Sequence, residues 1–341
     1  MVEKVVTFGE IMMRLQPPGH ERFLQAKSFD VVFGGGEANV AVSLAQFGIE
    51  ASFVSKLPEN QIGDACYNEI RKWGVDTSFI ARGGDRLGIY FCEKGFSQRA
   101  SKVIYDRAHS AISEASVEDF DWDEIFRDAN WFHFTGITPA LSERCAEIVM
   151  KACQAAQARG IMVSCDLNYR KKLWSKAKAA QVMEPLMKYV NVLIANEEDA
   201  DSIFSIKAVG NEVSVGQLNE DGYKDVCKQL VDRFGFDRVA ITLRESISAS
   251  QNNWSAILYS GENFYNSRKY NISIIDRVGG GDSFGAGLIY ALIKGYKESE
   301  AIEFATAASC IKHTIEGDFN IASVEEVQQL MMGDGSGRVQ R

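Results

Sequence analysis

Asp276-Arg277-Val278-Gly279-Gly280-Gly281-Asp282-Ser283-Phe284-Gly285-Ala286-Gly287, followed by the apolar run Leu288–Ile293, reads as a glycine turn opening a helix. Three residues without Cβ atoms let neighbouring backbone N–H groups converge, and the positive end of the helix dipole adds to them. The combination is an anion hole. No Lys-Ser/Thr pair follows, so this is not a Walker A loop, and the G-x-G-x-x-G dinucleotide pattern is absent as well. The acid placed directly after the glycines, Asp282, has two readings. It can accept a proton from a hydroxyl while the amides hold a phosphoryl group, or it can simply cap the helix that begins at Ser283.

Outward from this turn the chain alternates between the two hydrophobic periods. Val2–Phe8, Ala51–Ser55, Trp131–Phe134, Ile161–Asp166, Val192–Ala195 and Arg238–Leu243 read as strands, and Glu37–Phe47, Ile62–Trp73, Ser142–Arg159 and Asp221–Phe234 as helices. A helix-rich end follows from Asp282. Such alternation predicts a mostly parallel sheet covered by helices on both faces, with ligands at the carboxyl edge of the strands. Leu87–Glu93 and Lys102–Arg107 break the rhythm as an extended hairpin around Gly95. Together with the excursion after Gly9 they predict a small β lid, built from about 10–33 and 86–108, on a single domain spanning 1–332. The polar tail 333–341 is expected to be disordered, and an apolar outer face of the lid to join two copies of the chain.

Composition narrows the ligand. With 37 basic and 46 acidic residues the formal charge is −9, which argues against nucleic acid and anionic membranes as partners, so an anion must meet a local positive site. No apolar run approaches the roughly 18 residues of a membrane span, and the first ten residues lack a signal-peptide core; a cytoplasmic location is expected. The seven cysteines are odd in number and without C-x-x-C spacing, which suits reduced, buried thiols.

Gly34-Gly35-Gly36-Glu37-Ala38-Asn39 is a second glycine turn. Gly35 and Gly36 permit close approach of backbone to ligand, and Asn39 offers a donor and an acceptor to sugar hydroxyls, although a plain strand-to-helix turn also explains Gly36. Tyr105 and Arg107 share one face of an extended run, with Tyr90 in the facing strand. A planar guanidinium suits a carboxylate through paired, charge-assisted bonds, whereas a neutral hexose would leave it unsatisfied; the pattern favours a sugar acid. Arg170 follows the strand Ile161–Asp166, on the ligand edge.

Asp276–Asp282 resembles the Asp-Thr-x-Gly-Ala-Gly-Asp signature of the ribokinase-like (PfkB) carbohydrate kinases, and Phe33–Gly48 resembles that family's other glycine-rich signature, in the right order along the chain. Arg277 stands where Thr is usual and Gly280 where Ala is usual. The resemblance, running from about Val5 to about Ile321, implies a three-layer α/β/α sandwich and an ATP- and Mg²⁺-dependent kinase. It makes Asp282 the base, Gly279, Gly280 and Gly281 the anion hole, and the second turn the sugar site. Asp166-Leu167-Asn168-Tyr169-Arg170 matches the family's Asp-x-Asn-x-Arg, and in its 2-keto-3-deoxygluconate kinases the equivalents of Tyr90, Tyr105, Arg107 and Arg170 surround the acidic end of the substrate. Asn196-Glu197-Glu198-Asp199 resembles the Asn-x-x-Glu motif that organises magnesium through water, with Asp199 in place of Glu. By resemblance alone Thr242 and Arg244 reach the nucleotide phosphates, Ala305–His313, including Ala308 and His313, lines the adenine, and Asp276 lies beside a monovalent cation such as K⁺. The implied reaction is phosphorylation of 2-keto-3-deoxygluconate on its terminal hydroxyl. A neutral-sugar kinase such as a fructokinase, and a catalytically silent sugar-binding protein, are the competing readings.

Overall fold

The computed structural model of the chain describes residues 3–196, 198–207 and 220–333. Glu197 of the Asn196–Asp199 motif, the start of the first predicted strand at Val2 and the tail beyond 333 lie outside them.

The first half of the chain runs β1 (Lys4–Phe8), β2 (Met12–Gln16), β3 (Asp30–Gly34), α1 (Gly36–Gln46), β4 (Glu50–Leu57), α2 (Gln61–Arg71), β5 (Ile80–Arg82), β6 (Gly88–Glu93), β7 (Lys102–Asp106), α3 (Trp122–Ile125), β8 (Trp131–Thr135), α4 (Thr138–Leu141) and α5 (Glu143–Ala158). The second half runs β9 (Met162–Asp166), α6 (Lys176–Met187), β10 (Val192–Asn196), α7 (Asp199–Phe204), α8 (Glu220–Phe234), β11 (Arg238–Ser246), β12 (Gln251–Ser260), β13 (Asn263–Asn266), β14 (Tyr270–Ser273), α9 (Gly280–Ile293), α10 (Glu298–Lys312) and α11 (Val324–Met331).

The large sheet has the order β13-β12-β11-β10-β9-β8-β1-β4-β5, with β14 also on β12. Its centre is parallel because each strand returns through a helix, and strand residues alternate between two cores. Val6, Phe8, Phe132, Phe134, Leu193 and Val239 face one core, completed by α5, α6 and α8; Val5, Trp131, Val192, Ile194 and Ala240 face the other, completed by α1, α2, α9 and α10. This is the three-layer α/β/α sandwich expected from the alternation. Helix α5 shows the local logic: the Ser142 hydroxyl accepts from the Cys145 N–H at the start, and Cys145, Ile148, Val149, Ala152, Cys153 and Ala156 repeat at helical spacing on the buried side.

The second sheet, of order β3-β2-β6-β7, stands apart from the first. Here β6 and β7 pair antiparallel with Tyr90 directly opposite Tyr105. The antiparallel edge β12–β14 escapes the sequence reading: its Asn- and Ser-rich strands carry no clean alternation, and only pairing to β11 defines them.

Candidate active site

The carboxyl ends of the parallel strands open into a cavity of about 480 Å³. Its floor is Asn168–Arg170 after β9, Asn196 and Asp199 around the end of β10, and Thr242 and Arg244 on β11. Its roof is Met12, Tyr90, Val103, Tyr105 and Arg107 from or beside the small sheet, and Gly279, Gly281 and Asp282 close one end.

Helix α9 begins at Gly280, and its cap is Gly279, whose φ of 83° suits a residue without a Cβ. Asp282 is therefore the third residue of the helix and does not occupy the cap position. Its carboxylate faces the cavity, and Asn39 Nδ2 donates to its Oδ2 at 2.7 Å. Burial raises the Asp282 carboxyl to about 6, with the Asn39 hydrogen bond pulling the other way. The first intrahelical bond runs from Ser283 N–H to Gly279 O at 2.8 Å, so the N–H groups of Gly281 and Asp282, earlier in the helix, have no acceptor within it. Gly280 departs from the expected role: its N–H turns back on Arg277 O at 3.3 Å, and the residue does not line the cavity. A Cβ on Gly280 would stand 2.4 Å from His313 Cε1, which explains glycine where the related signature has alanine.

Gly34, Gly35 and Gly36 of the second glycine turn line the cavity as well. A Cβ on Gly35 would stand 1.9 Å from Glu10 O and one on Gly34 2.2 Å from the Asp318 carboxylate, so protein packing demands these two glycines. A Cβ on Gly36 would fit tightly, 3.2 Å from Thr135 Cγ2 and 3.6 Å from Asp282 Oδ1. Asn39, expected to bind sugar hydroxyls, lines the cavity, donates to Asp282 and accepts from Gly35 N–H at 3.2 Å. Its neighbour Glu37 is buried, accepting from Thr135 and Thr138, and fastens α1 to β8.

At the other end, the Tyr90 and Tyr105 rings face each other at 6.0 Å, with the Arg107 guanidinium over Tyr105 at 5.4 Å. Arg107 Nε and Nη2 both pair with Glu10, an acid directly after β1 that the sequence reading passed over. The Tyr90 hydroxyl donates to Asp318 Oδ2 at 2.5 Å. Arg170 lies exposed on the cavity floor, its Nη1 3.3 Å from Tyr169 O.

On the nucleotide side, Asn196 Oδ1 accepts from the N–H groups of Glu198 and Asp199. Asp199 accepts from Asn196 N–H and Tyr169 N–H, tying the turns after β9 and β10 together. Asp166 joins them in the cavity wall, its carboxyl raised by burial and by nearby Asp199 and Asp282. No cluster of three or more His, Cys, Asp or Glu suited to a metal exists among the described residues. That donor set fits magnesium, which keeps much of its water and leans on phosphate oxygens. Thr242 lines the wall beside Arg244. Arg277 is half-buried there too, its Nη2 donating to Ala249 O at 3.0 Å, and so is not a solvated surface residue.

His313 forms a wall with Trp254, ring centroids 5.3 Å apart, and burial pushes its imidazole down to about 4, so it is neutral. Ala308, expected at the adenine, is instead fully buried under Gly287, where α10 crosses α9, and does not line the cavity. Asp276, expected beside a monovalent cation, has protein partners on all three oxygens: Arg14 Nη2 and Gly317 N–H on Oδ2, Val278 N–H on Oδ1, and Lys312 Nζ on the carbonyl. Arg14, Lys312 and Asp318 were not singled out from sequence; the signal for Arg14 was a lone charge inside the apolar strand Met12–Leu15.

The family model described as pfkB family carbohydrate kinase matches residues 2–322. The chain belongs to the pfkB family of carbohydrate kinases. Among the solved structures this kinase resembles is 2-dehydro-3-deoxygluconokinase of Thermotoga maritima, with 52% identity, a TM-score of 0.94, and coverage of 98% of this chain and 99% of that one. A 2-dehydro-3-deoxygalactonokinase of Haloferax volcanii is 33% identical over 337 residues, 99% of either chain. A putative ribokinase II from E. coli, solved with ATP and Mg²⁺, shares the fold at 20% identity and a TM-score of 0.78, covering 97% of this chain and 99% of that one.

Proposed function

We propose that this kinase transfers the γ-phosphoryl group of MgATP to the terminal hydroxyl of a 2-keto-3-deoxy sugar acid, 2-keto-3-deoxygluconate giving 2-keto-3-deoxy-6-phosphogluconate. The observation that carries the reading is the polarity of the cavity: a carboxylate raised to about 6 beside open helix amides at one end, and Arg107 with Arg170 at the other. Asp282, oriented by Asn39, takes the proton of the attacking hydroxyl. The new O–P bond forms in line as the bond between the γ-phosphorus and the bridging oxygen breaks, ADP leaves, and the proton passes from Asp282 to solvent. The Gly281 and Asp282 amides meet charge on the transferred group. Asn196, Asp199 and Asp166 would hold magnesium through its waters, and the ion would supply charge neutralisation of the phosphates. Arg244 and Arg277 face the phosphate chain, while Trp254 and His313 offer a neutral face to the base.

Arg107 and Arg170 take the substrate carboxylate, with Tyr90 and Tyr105 as the wall against its carbon chain. Arg107 is already paired with Glu10, which fixes its fork before substrate arrives. The small sheet serves as the lid that excludes water. Its exposed apolar residues Leu24, Phe29, Val31 and Ile104 support a homodimer formed through that face. All seven cysteines are buried and free, in keeping with a cytoplasmic protein.

An ADP-release assay across 2-keto-3-deoxygluconate, 2-keto-3-deoxygalactonate and fructose tests the substrate class. The expected kcat/KM for a sugar acid exceeds that for fructose by at least about 10². Equal efficiency on fructose would establish a neutral-sugar kinase, and no turnover on any of them a binding protein.

A further inference from the structure

Behind the glycine turn, on the side away from the cavity, lie two buried cations that the reaction above leaves without a role. Lys312, the last residue of α10, is 0% exposed, and its Nζ donates to the main-chain carbonyls of Asp276 at 3.3 Å and Ile315 at 3.1 Å. Arg14 of β2, also 0% exposed, reaches Asp276 Oδ2 at 2.7 Å and Asp318 Oδ1 at 2.8 Å. With Asp276 and Asp318 these make a buried cluster of two basic and two acidic side chains, Asp318 lying at its cavity edge. An ammonium on main-chain carbonyls occupies the position and uses the ligands that a dehydrated monovalent cation would. The Lys312 stem passes directly behind the anion hole, since a Cβ on Gly279 would stand 3.2 Å from its Cε. Drawing the Asp276 carbonyl backwards fixes the peptide planes that lead to Gly281, which lines the cavity and whose N–H has no acceptor in the helix. Every oxygen of Asp276 already has a protein partner, and a further ion would add an unpaired positive charge to the cluster.

We propose that Lys312 is the built-in cation of the anion hole, a positioning residue that orients the turn for the phosphoryl group and makes turnover independent of potassium. Its charge also reaches Asp282, favouring the ionised base. The inference rests on reading Gly279–Asp282 as the phosphoryl site, so one arm of its test needs no turnover.

The unaltered kinase is assayed in tetramethylammonium chloride and in potassium chloride at equal ionic strength. Its kcat is expected to agree within about twofold, and its thermal midpoint to be the same in the two salts. Lys312→Ala is expected to lose at least about tenfold in kcat with a much smaller change in sugar KM. Potassium or ammonium chloride should restore part of that loss, and potassium should raise the variant's midpoint while tetramethylammonium does not. A larger potassium dependence of the unaltered enzyme overturns the proposal, as does unimpaired turnover of the variant. Loss without cation rescue leaves Lys312 a packing role and overturns it as well. Should Lys312→Ala fail to fold, the unaltered enzyme's indifference to potassium, in both turnover and midpoint, still decides.

Discussion

Asp282 combines two demands that oppose each other. A base near the middle of the working pH range must be raised from its ordinary value, and raising it means burying a charge. On the proposed mechanism deprotonated Asp282 is the active form, so kcat/KM should fall about tenfold per pH unit below about 6 and level off above. Asn39→Ala removes the donor that stabilises the carboxylate, and the acid limb of the pH profile should move to higher pH. Asp282→Asn should lower kcat by about 10² to 10⁴, with substrate binding little changed, measured by steady-state kinetics and calorimetry. The same variant should be more stable at pH 8 by about 1–2 kcal/mol, a figure discounted because the carboxylate faces the cavity. The sign follows from linkage: a carboxyl held protonated in the folded state favours folding below its unfolded value, and that advantage disappears as pH rises through about 6. Urea titrations at pH 4 and pH 8 should show the gain only at the higher pH. Gly280→Ala should clash with His313, lowering stability and kcat together, and His313→Ala should recover part of both.

Among elements, the small sheet was legible in outline because its strands alternate and flank a polar turn; its second strand and its ties to the rest were not. Arg107 in an extended run pointed to a carboxylate, yet the first carboxylate it meets is Glu10, ninety-seven residues earlier. Sequence spacing carries no sign of such a pair, and the same is true of Asn39 and Asp282, joined across 243 residues. The glycine turns were legible as backbone devices, but which neighbour required each glycine depended on Asp318, Glu10 and His313 arriving from elsewhere in the fold. Arg107→Ala should weaken sugar-acid binding by about 2–5 kcal/mol, read as KM and by calorimetry. It should also lower the melting temperature, because buried Glu10 loses its partner; a double change with Glu10→Gln should regain stability without regaining affinity.

At the scale of the molecule, the sandwich was readable because period-two and period-3.6 patterns alternate along most of the chain, and two motifs at opposite ends converge on one strand edge. The antiparallel flank was not readable, since its strands exist through pairing and not through pattern. Arg14 also has a mechanical meaning. It sits on β2, in the roof, yet its guanidinium is locked between Asp276 and Asp318 beneath the phosphoryl turn. The roof is thus fastened on that side through two buried ion pairs, while β7 forms its opposite margin. There a second groove adjoins the cavity, bordered by Lys171, Lys172 and Lys176 and bridged by Lys172 Nζ on Val103 O at 3.2 Å. Under the proposed function, those lysines would draw an acidic substrate toward the cavity.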